Sequence, residues 1–314
     1  MISVIMSIYN ESLKWIIEAV DSILNQTYKE FELIVVIDNP SIDFKIKNYL
    51  KEKQLHDSRI LLLFNEKNLG LAESLNRALN VASGKYIARM DSDDISMLDR
   101  LEKELIFLEA TNSDLVATNK ILIDEDSGFI KRDPPIKRRP KESLIYGNFI
   151  NHSSVLMKND VVKNCGGYRQ MPNSEDYDLW LRMLDRGYKL IILDEYLLKY
   201  RIRCNSASIE RQLEQYYISQ YILKCHKERV KSGKDSYSTE NLLTYMNSKD
   251  FSSKSKINFS KAVSCLEHAI VFIEGKNYFS AIRIIIYGLF YNPKYVISRI
   301  VAQLRIHRSN TRRD

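Results

Sequence analysis

Between Ile2 and Met90 the chain alternates two hydrophobic periods, and this alternation limits its fold more than any other feature. Short β-branched and apolar runs at Ile2–Ile8, Glu32–Ile37, Arg59–Leu63 and Lys85–Met90 are separated by segments of helical period at Leu13–Leu24, Phe44–Lys53 and Leu71–Ala82. A β-α-β-α rhythm of this kind predicts an α/β protein with a mostly parallel, doubly wound sheet flanked by helices. In such sheets ligands bind beyond the carboxyl ends of the strands, so the residues that follow each run carry the functional information.

Those residues are polar. Ser7-Ile8-Tyr9-Asn10-Glu11 closes the first run, Asp38-Asn39-Pro40 the second and Asp91-Ser92-Asp93-Asp94 the fourth, while Asn68-Leu69-Gly70 lies in the loop after the third. Three carboxylates within four residues repel one another unless a cation or hydrogen-bond donors compensate, and hard oxygen ligands suit Mg²⁺ or Mn²⁺. The other reading is a helix N-cap with first-turn acids ahead of a helix over Leu98–Glu109, which accounts for Asp94 better than for Asp91 and Asp93. Singly the earlier loops are ordinary: Asn10 or Ser12 suits a helix cap, and Asp38-Asn39-Pro40 and Asn68-Leu69-Gly70 suit turns. Their common location is what points to a ligand.

The second half is less regular. A hairpin is expected around Asp124–Gly128, a strand at Ser153–Met157, a helix from near Asp176 to before Gly187, and strand structure over Lys189–Arg203. After about Ser208 the pattern is helical and, from Phe259, amphipathic. The boundary is placed near Asn205 to Ile209, giving domains 1–205 and 206–314. Ser174-Glu175-Asp176-Tyr177-Asp178 opens the helix before Gly187, where the acids serve either as caps or as a proton acceptor at a cleft edge.

Composition narrows the setting. The 314 residues are 45% hydrophobic and 28% charged, enough for one large core and a smaller second one. Cys165, Cys204, Cys225 and Cys265 form no C-x-x-C pair, which argues against a zinc ribbon or a disulfide framework and for a reducing cytoplasm. No signal peptide is expected at the start, and Ala281–Tyr291 is too short for a membrane span and carries Arg283. The net charge of +7 is concentrated late, at Arg299, Arg305, Arg308, Arg312 and Arg313. That excess reads as a solvated tail or as a surface for anionic lipid or phosphorylated substrate. No nucleic-acid motif accompanies it.

Taken in order, Val4–Glu11, Leu33–Asp38, Asn68–Leu71, Ser83–Asp94 and Glu175–Trp180 resemble the family 2 glycosyltransferases of GT-A fold, over roughly the first two thirds of the chain. The forms Met6-Ser7-Ile8-Tyr9-Asn10, Asp38-Asn39-Pro40 and Met90–Asp94 look most like bacterial exopolysaccharide and O-antigen transferases of the amylovoran-biosynthesis type. The resemblance implies a nucleotide-sugar donor, with UDP favoured, in a site lined by Ser7, Tyr9, Glu11, Asp38, Asn68 and Asp91. It implies Asp93 as ligand of a Mn²⁺ or Mg²⁺ ion bridging the diphosphate, and Asp176 as the catalytic base of an inverting transfer. The acceptor would be a glycan hydroxyl, on a lipid-linked oligosaccharide at the cytoplasmic face of the inner membrane.

Three positions depart from the pattern. Leu75 precedes Asn76 where relatives carry an arginine, so that one phosphate contact is either missing or replaced by Arg77. Arg203, in Tyr200-Arg201-Ile202-Arg203, replaces a histidine that often completes the metal site, and a guanidinium cannot ligate a cation. His152 suits sugar contact or a buried structural place equally. A nucleotidyltransferase would need a glycine-rich basic loop near its start, and none follows Ile8. An inactive scaffold of a polysaccharide-assembly complex would have no use for Asp93 and Asp176, and a nucleic-acid binder would show steeply salt-dependent binding.

Overall fold

The computed structural model describes residues 1–136, 139–203 and 211–311. The elements follow the alternation closely: β1 (Ile2–Ile8), α1 (Leu13–Leu24), β2 (Phe31–Ile37), α2 (Phe44–His56), β3 (Ile60–Phe64), α3 (Leu71–Val81), β4 (Tyr86–Asp91), β5 (Ile95–Ser96) and α4 (Arg100–Ala110). Then come β6 (Leu115–Ile123), β7 (Phe129–Arg132), the single turn α5 (Pro140–Ser143), β8 (Val155–Lys158), α6 (Asn159–Asn164), α7 (Glu175–Asp185) and β9 (Leu190–Arg201). Among the described residues these nine strands form one sheet in the order β3-β2-β1-β4-β8-β6-β9-β5, with β7 hairpinned onto β6.

The sheet is mixed. β3, β2, β1 and β4 are parallel, β8 runs antiparallel between β4 and β6, and β9 is again parallel to β6. The expected helix over Leu98–Glu109 begins at Arg100, with Asp99 as its N-cap residue. Asp91–Asp94 therefore lies outside its first turn, and capping does not explain those acids. Ser12 caps α1 by accepting from the Trp15 N–H.

Parallel register aligns the strand ends that matter. Ile8 pairs with Ile37, Ile37 with Phe64 and Ser7 with Asp91, so the polar segments after β1, β2, β3 and β4 emerge along one edge. Behind them, Val4, Met6, Leu33, Val35, Ala88 and Met90 are fully buried against Ile16 and Ile23 of α1 and Leu101 of α4. Buried Gln26 ties α1 to the segment after β4: its amide donates to Ser22 O at 2.9 Å and Met97 O at 2.7 Å, and its carbonyl accepts from the Leu101 N–H at 3.0 Å.

The chain separates into two compact units, Met1–Leu144 with Asn148–Ser206, and Ile145–Gly147 with Ala207–Asp314. The boundary expected near Asn205 to Ile209 lies outside the described residues, as does Cys204. The second unit is helical: α8 (Gln212–Ser232), α9 (Thr239–Asn247), α10 (Ser253–Glu274), α11 (Tyr278–Tyr291) and α12 (Pro293–Thr311). The side chains of Arg308, Arg312 and Arg313 lie outside the described residues. No helix among the described residues is long and apolar enough to cross a membrane.

Gly84 sets how closely β4 approaches β1. A Cβ there would stand 2.6 Å from both the backbone nitrogen and the Oγ of Ser3, and 2.9 Å from the Ile2 carbonyl carbon. Two of these three atoms are backbone of the central strand, which cannot retreat without breaking its pairing with β2 and β4. Gly84→Ala is expected to destabilise the protein by about 1–3 kcal/mol, read as a lower urea midpoint; an unchanged midpoint would show that the strands have slack.

Candidate active site

Asp91, the last residue of β4, is anchored from two sides. Arg89, wholly buried in the same strand, forms an ion pair with Oδ1, and Ser153 Oγ donates to Oδ2 while accepting from the Asp91 N–H at 3.0 Å. Burial raises the Asp91 carboxyl, but the charge and hydrogen bond of Arg89, the neighbouring His152 and the Ser153 hydroxyl together hold the group below the usual carboxylate range.

Asp93 differs. Burial pushes it up to about 6, the neighbouring Asp91 adds to the rise, and the Arg203 guanidinium opposes it; the charge of Glu11 also raises it. Arg203 Nε lies 3.0 Å from Asp93 Oδ2, and its guanidinium sits over the Trp15 ring at 5.7 Å. Asp94 is buried and accepts from the Arg201 N–H at 2.9 Å; burial first, and the charges of Asp93 and Asp91 next, hold its carboxyl well above the usual range.

Arg201, buried at the end of β9, is the hub of this corner. It donates to Asp93 O at 2.7 Å, to Asp124 O, Glu125 O and Ser127 Oγ of the β6–β7 turn at 3.0, 3.1 and 3.0 Å, and to Glu18 of α1 at 2.5 Å. One planar fork thus joins the acidic loop, the hairpin turn and the first helix.

The neighbouring loops are built from side chain to backbone bonds. Asp38 is buried, its Oδ1 accepting from Asn65 Nδ2 at 2.7 Å and the Leu69 N–H at 2.8 Å, and its Oδ2 from the Gly70 N–H at 2.9 Å. Asn68 Oδ1 also accepts from Gly70 N–H at 2.9 Å. Ser7 contributes its carbonyl to Ser92 Oγ at 3.0 Å; Tyr9 is exposed and its N–H donates to Glu11 at 2.8 Å. Asn39 bridges to Tyr9 O at 3.0 Å and so ties the β2 end to the β1 end. Arg77 bonds to Phe64 O at 2.6 Å and to Asn65, at the carboxyl end of β3.

Asp176 stands in the first turn of α7. Its Oδ2 accepts from Asn148 Nδ2 at 2.8 Å and its Oδ1 from the Tyr177 N–H at 2.7 Å. Burial pushes its carboxyl up to about 6 against those two bonds, with the Asp91 charge adding to the rise, so the two carboxylates lie within electrostatic reach. Glu175 is raised too, by burial first and by Asp176 next. The helix is held by buried Arg182, which pairs with Asp178 at 2.7 Å and donates to the carbonyls of Cys165 and Gly167. Ser174 is the N-cap residue but makes no capping bond.

His152 is buried, hydrogen-bonded to the Tyr168 hydroxyl at 2.9 Å and 4.0 Å from Glu175; burial and then the Arg89 charge push it well below the ordinary imidazole range. Its ring packs against those of Tyr168 and Trp180. The turn containing Tyr168 is pinned by Asn76, which donates to Tyr168 O and accepts from its N–H, each at 2.8 Å.

Arg89 compensates Asp91 and Arg203 opposes the rise at Asp93, but Asp93 and Asp94 remain above the usual carboxylate range, partly through repulsion within the cluster. Among the described residues no group of three or more His, Cys, Asp and Glu is arranged to hold a metal. A divalent ion fits this donor set only in the manner common for Mg²⁺, through one carboxylate completed by substrate phosphates and water, with Asp93 as that carboxylate. Sequence reading missed Arg89, Ser153, Asn148 and the bonding of Arg201. Arg89 carried a signal, a charge inside an apolar strand run, which demands a buried partner; Asn148 carried none.

The family model described as Glycosyl transferase family 2 matches residues 3–175. An uncharacterised glycosyltransferase of Methanocaldococcus jannaschii is 38% identical over 74% of this chain and 81% of its own length. The O-antigen biosynthesis glycosyltransferase WbnJ of Escherichia coli is 37% identical over 71% of this chain and 88% of its own. Among solved structures, Staphylococcus aureus TarS (residues 1–349, in complex with UDP-GlcNAc) superposes with a TM-score of 0.61 over 90% of each chain at 16% identity, a likeness of fold.

Because Arg201 joins three segments through one fork, Arg201→Lys, which keeps the charge and loses the geometry, is expected to cost roughly 2–3 kcal/mol. Amide exchange should accelerate together at Asp93–Ser96 and Asp124–Gly128. Acceleration in only one of the two would show that Arg201 does not couple them.

Proposed function

The chain belongs to glycosyl transferase family 2 and has the GT-A fold, and we propose that it transfers a sugar from a UDP-sugar to a glycan hydroxyl with inversion at the anomeric carbon. The observation that carries this reading is the arrangement of two acidic centres: Asp91, paired with Arg89, and Asp93, paired with Arg203, at the strand edge, and Asp176, held by Asn148 at the start of α7, within electrostatic reach of Asp91. A donor diphosphate needs fixed positive charge, and an acceptor hydroxyl needs a base.

In this reading the nucleoside lies over the ends of β1 and β2, near Ser7, Tyr9 and Glu11, with Asp38 and Asn68 shaping the loop beneath it and Asp91 towards the ribose. A Mn²⁺ or Mg²⁺ ion held by Asp93 and the diphosphate would supply Lewis-acid neutralisation of the leaving group. Arg203, already at Asp93 and steadied over Trp15, turns its guanidinium to a phosphate oxygen. Asp176 takes the proton of the acceptor hydroxyl, whose oxygen forms the bond to the anomeric carbon as the carbon–oxygen bond to the diphosphate breaks and the diphosphate leaves with the electron pair. Asn148 fixes the orientation of Asp176 for that transfer.

The names of the relatives support polysaccharide assembly, O-antigen among them, as the setting, and the ligands of TarS, UDP-GlcNAc and UDP, support a uridine nucleotide. A lipid-linked oligosaccharide at the cytoplasmic face of the inner membrane is the acceptor class that setting favours.

Asp176→Asn is expected to lower turnover by roughly 10²–10⁴-fold while leaving donor affinity, measured by calorimetry, unchanged; retained turnover would refute the base assignment, and a wild type that binds donor without turnover would favour a scaffold role. Since the base works only when ionised, activity should rise with pH through about 6, the value at which burial places Asp176. Asn148→Ala removes a bond that favours the ionised form, so the acid limb should move to higher pH; a limb that stays in place would remove Asn148 from the mechanism. Asp93→Asn should abolish the Mn²⁺-dependent increment in UDP affinity by calorimetry, and an increment that survives would place the ion elsewhere.

A further inference from the structure

Within the helical unit, α11 is built inside out. The residues it buries are the small ones, Ala281 and Gly288, seven apart on one face; a Cβ at Gly288 would lie 3.2 Å from Cys265 Cβ of α10 and 3.3 Å from Val296 of α12. A larger residue at position 288 would press on both neighbouring helices. The large side chains are on the other side: Phe279 is 78% exposed and Phe290 80%, with Ile282 and Ile286 between them also exposed. Their spacing of three, four and four residues keeps all four on a single helical face. A contiguous apolar stripe of this length on an otherwise well-packed helix marks an interaction surface.

Charge identifies the partner. From Gly275 to Arg313 the sequence holds no acidic residue, while Lys276, Arg283, Lys294, Arg299 and Arg305 follow one another along it. Arg283 lies within the stripe itself and is exposed. An apolar face with lysine and arginine beside it is the pattern of a helix lying in a bilayer interface, its rings among the acyl chains and its cations at anionic headgroups. The fourteen residues of α11 extend about 21 Å at 1.5 Å per residue, short of the ~30 Å of a bilayer core, so the helix lies on the surface rather than crossing it. A second copy of the chain is disfavoured, since a twofold contact on this face would bring Arg283, Lys276 and Lys294 towards like charges.

We propose that the Phe279–Ile282–Ile286–Phe290 face of α11, with Lys276, Arg283 and Lys294, docks the protein on an anionic membrane surface. This docking is independent of the transfer chemistry: it uses no residue of the acidic site. The test is flotation of the full chain with vesicles of phosphatidylcholine alone or of equal parts phosphatidylcholine and phosphatidylglycerol, at low and high salt, beside light scattering without lipid. The wild type should float with the anionic vesicles only and less so at high salt. Phe279→Ser with Phe290→Ser should weaken partitioning by at least about tenfold, and Arg283→Glu with Lys294→Glu should abolish the preference for phosphatidylglycerol. Both pairs are exposed, so their melting temperatures should match the wild type. Binding that survives the phenylalanine changes, or that is absent from all vesicles, overturns the proposal. So does a lipid-free dimer that the same changes dissociate, which would assign the face to a second copy.

Discussion

Three carboxylates at the end of one strand are the problem that the rest of the first unit solves. Asp91, Asp93 and Asp94 repel one another in a partly buried corner, and each is met by a different donor: Arg89 from its own strand, Arg203 from beyond β9, and the Arg201 backbone from the end of β9. These partners come from distant parts of the sequence, so the acidic loop is in place only when the sheet has closed from β4 through β8 and β6 to β9. The cost of the acids is thereby converted into order.

The two halves of the site owe their different protonation to their surroundings. Asp91 has a buried guanidinium and a serine hydroxyl on its oxygens and stays ionised. Asp176 has neutral donors, an amide and a backbone N–H, and burial prevails. Separated carboxyls pushed in opposite directions suit different tasks, one as a fixed anion and hydrogen-bond acceptor and the other as a proton acceptor. The helix that carries Asp176 is fixed by Arg182, which bonds the carbonyls of Cys165 and Gly167, while Asn148 and the Tyr177 N–H hold the carboxylate itself.

The sequence made the parallel half of the sheet legible because apolar runs buried on both faces and helices of clear period leave little choice, and bounds such as Ile2–Ile8 and Leu13–Leu24 agree with the structure. It made the edge legible through polar residues after each run. What it did not yield is the compensation. Arg201 and Arg203 lie more than a hundred residues from the acids they serve, and no local pattern links them. Asn148 follows a short irregular stretch with no period, and β6, antiparallel to one neighbour and parallel to another, was visible only through its hairpin.

The helical unit shows the converse: its composition was read as amphipathic and basic, but which face is outward depends on Gly288 meeting Cys265 and Val296, a contact that no period reveals. The central claim remains the direct displacement assigned to Asp176, and its most direct test is stereochemical. With the UDP-sugar that turns over, the anomer first formed, whether in glycan product or by slow hydrolysis, is read from the proton coupling at the anomeric carbon before mutarotation. An α-linked donor giving the β anomer is the predicted result. Retention of the α configuration would require a different pathway and would contradict the account.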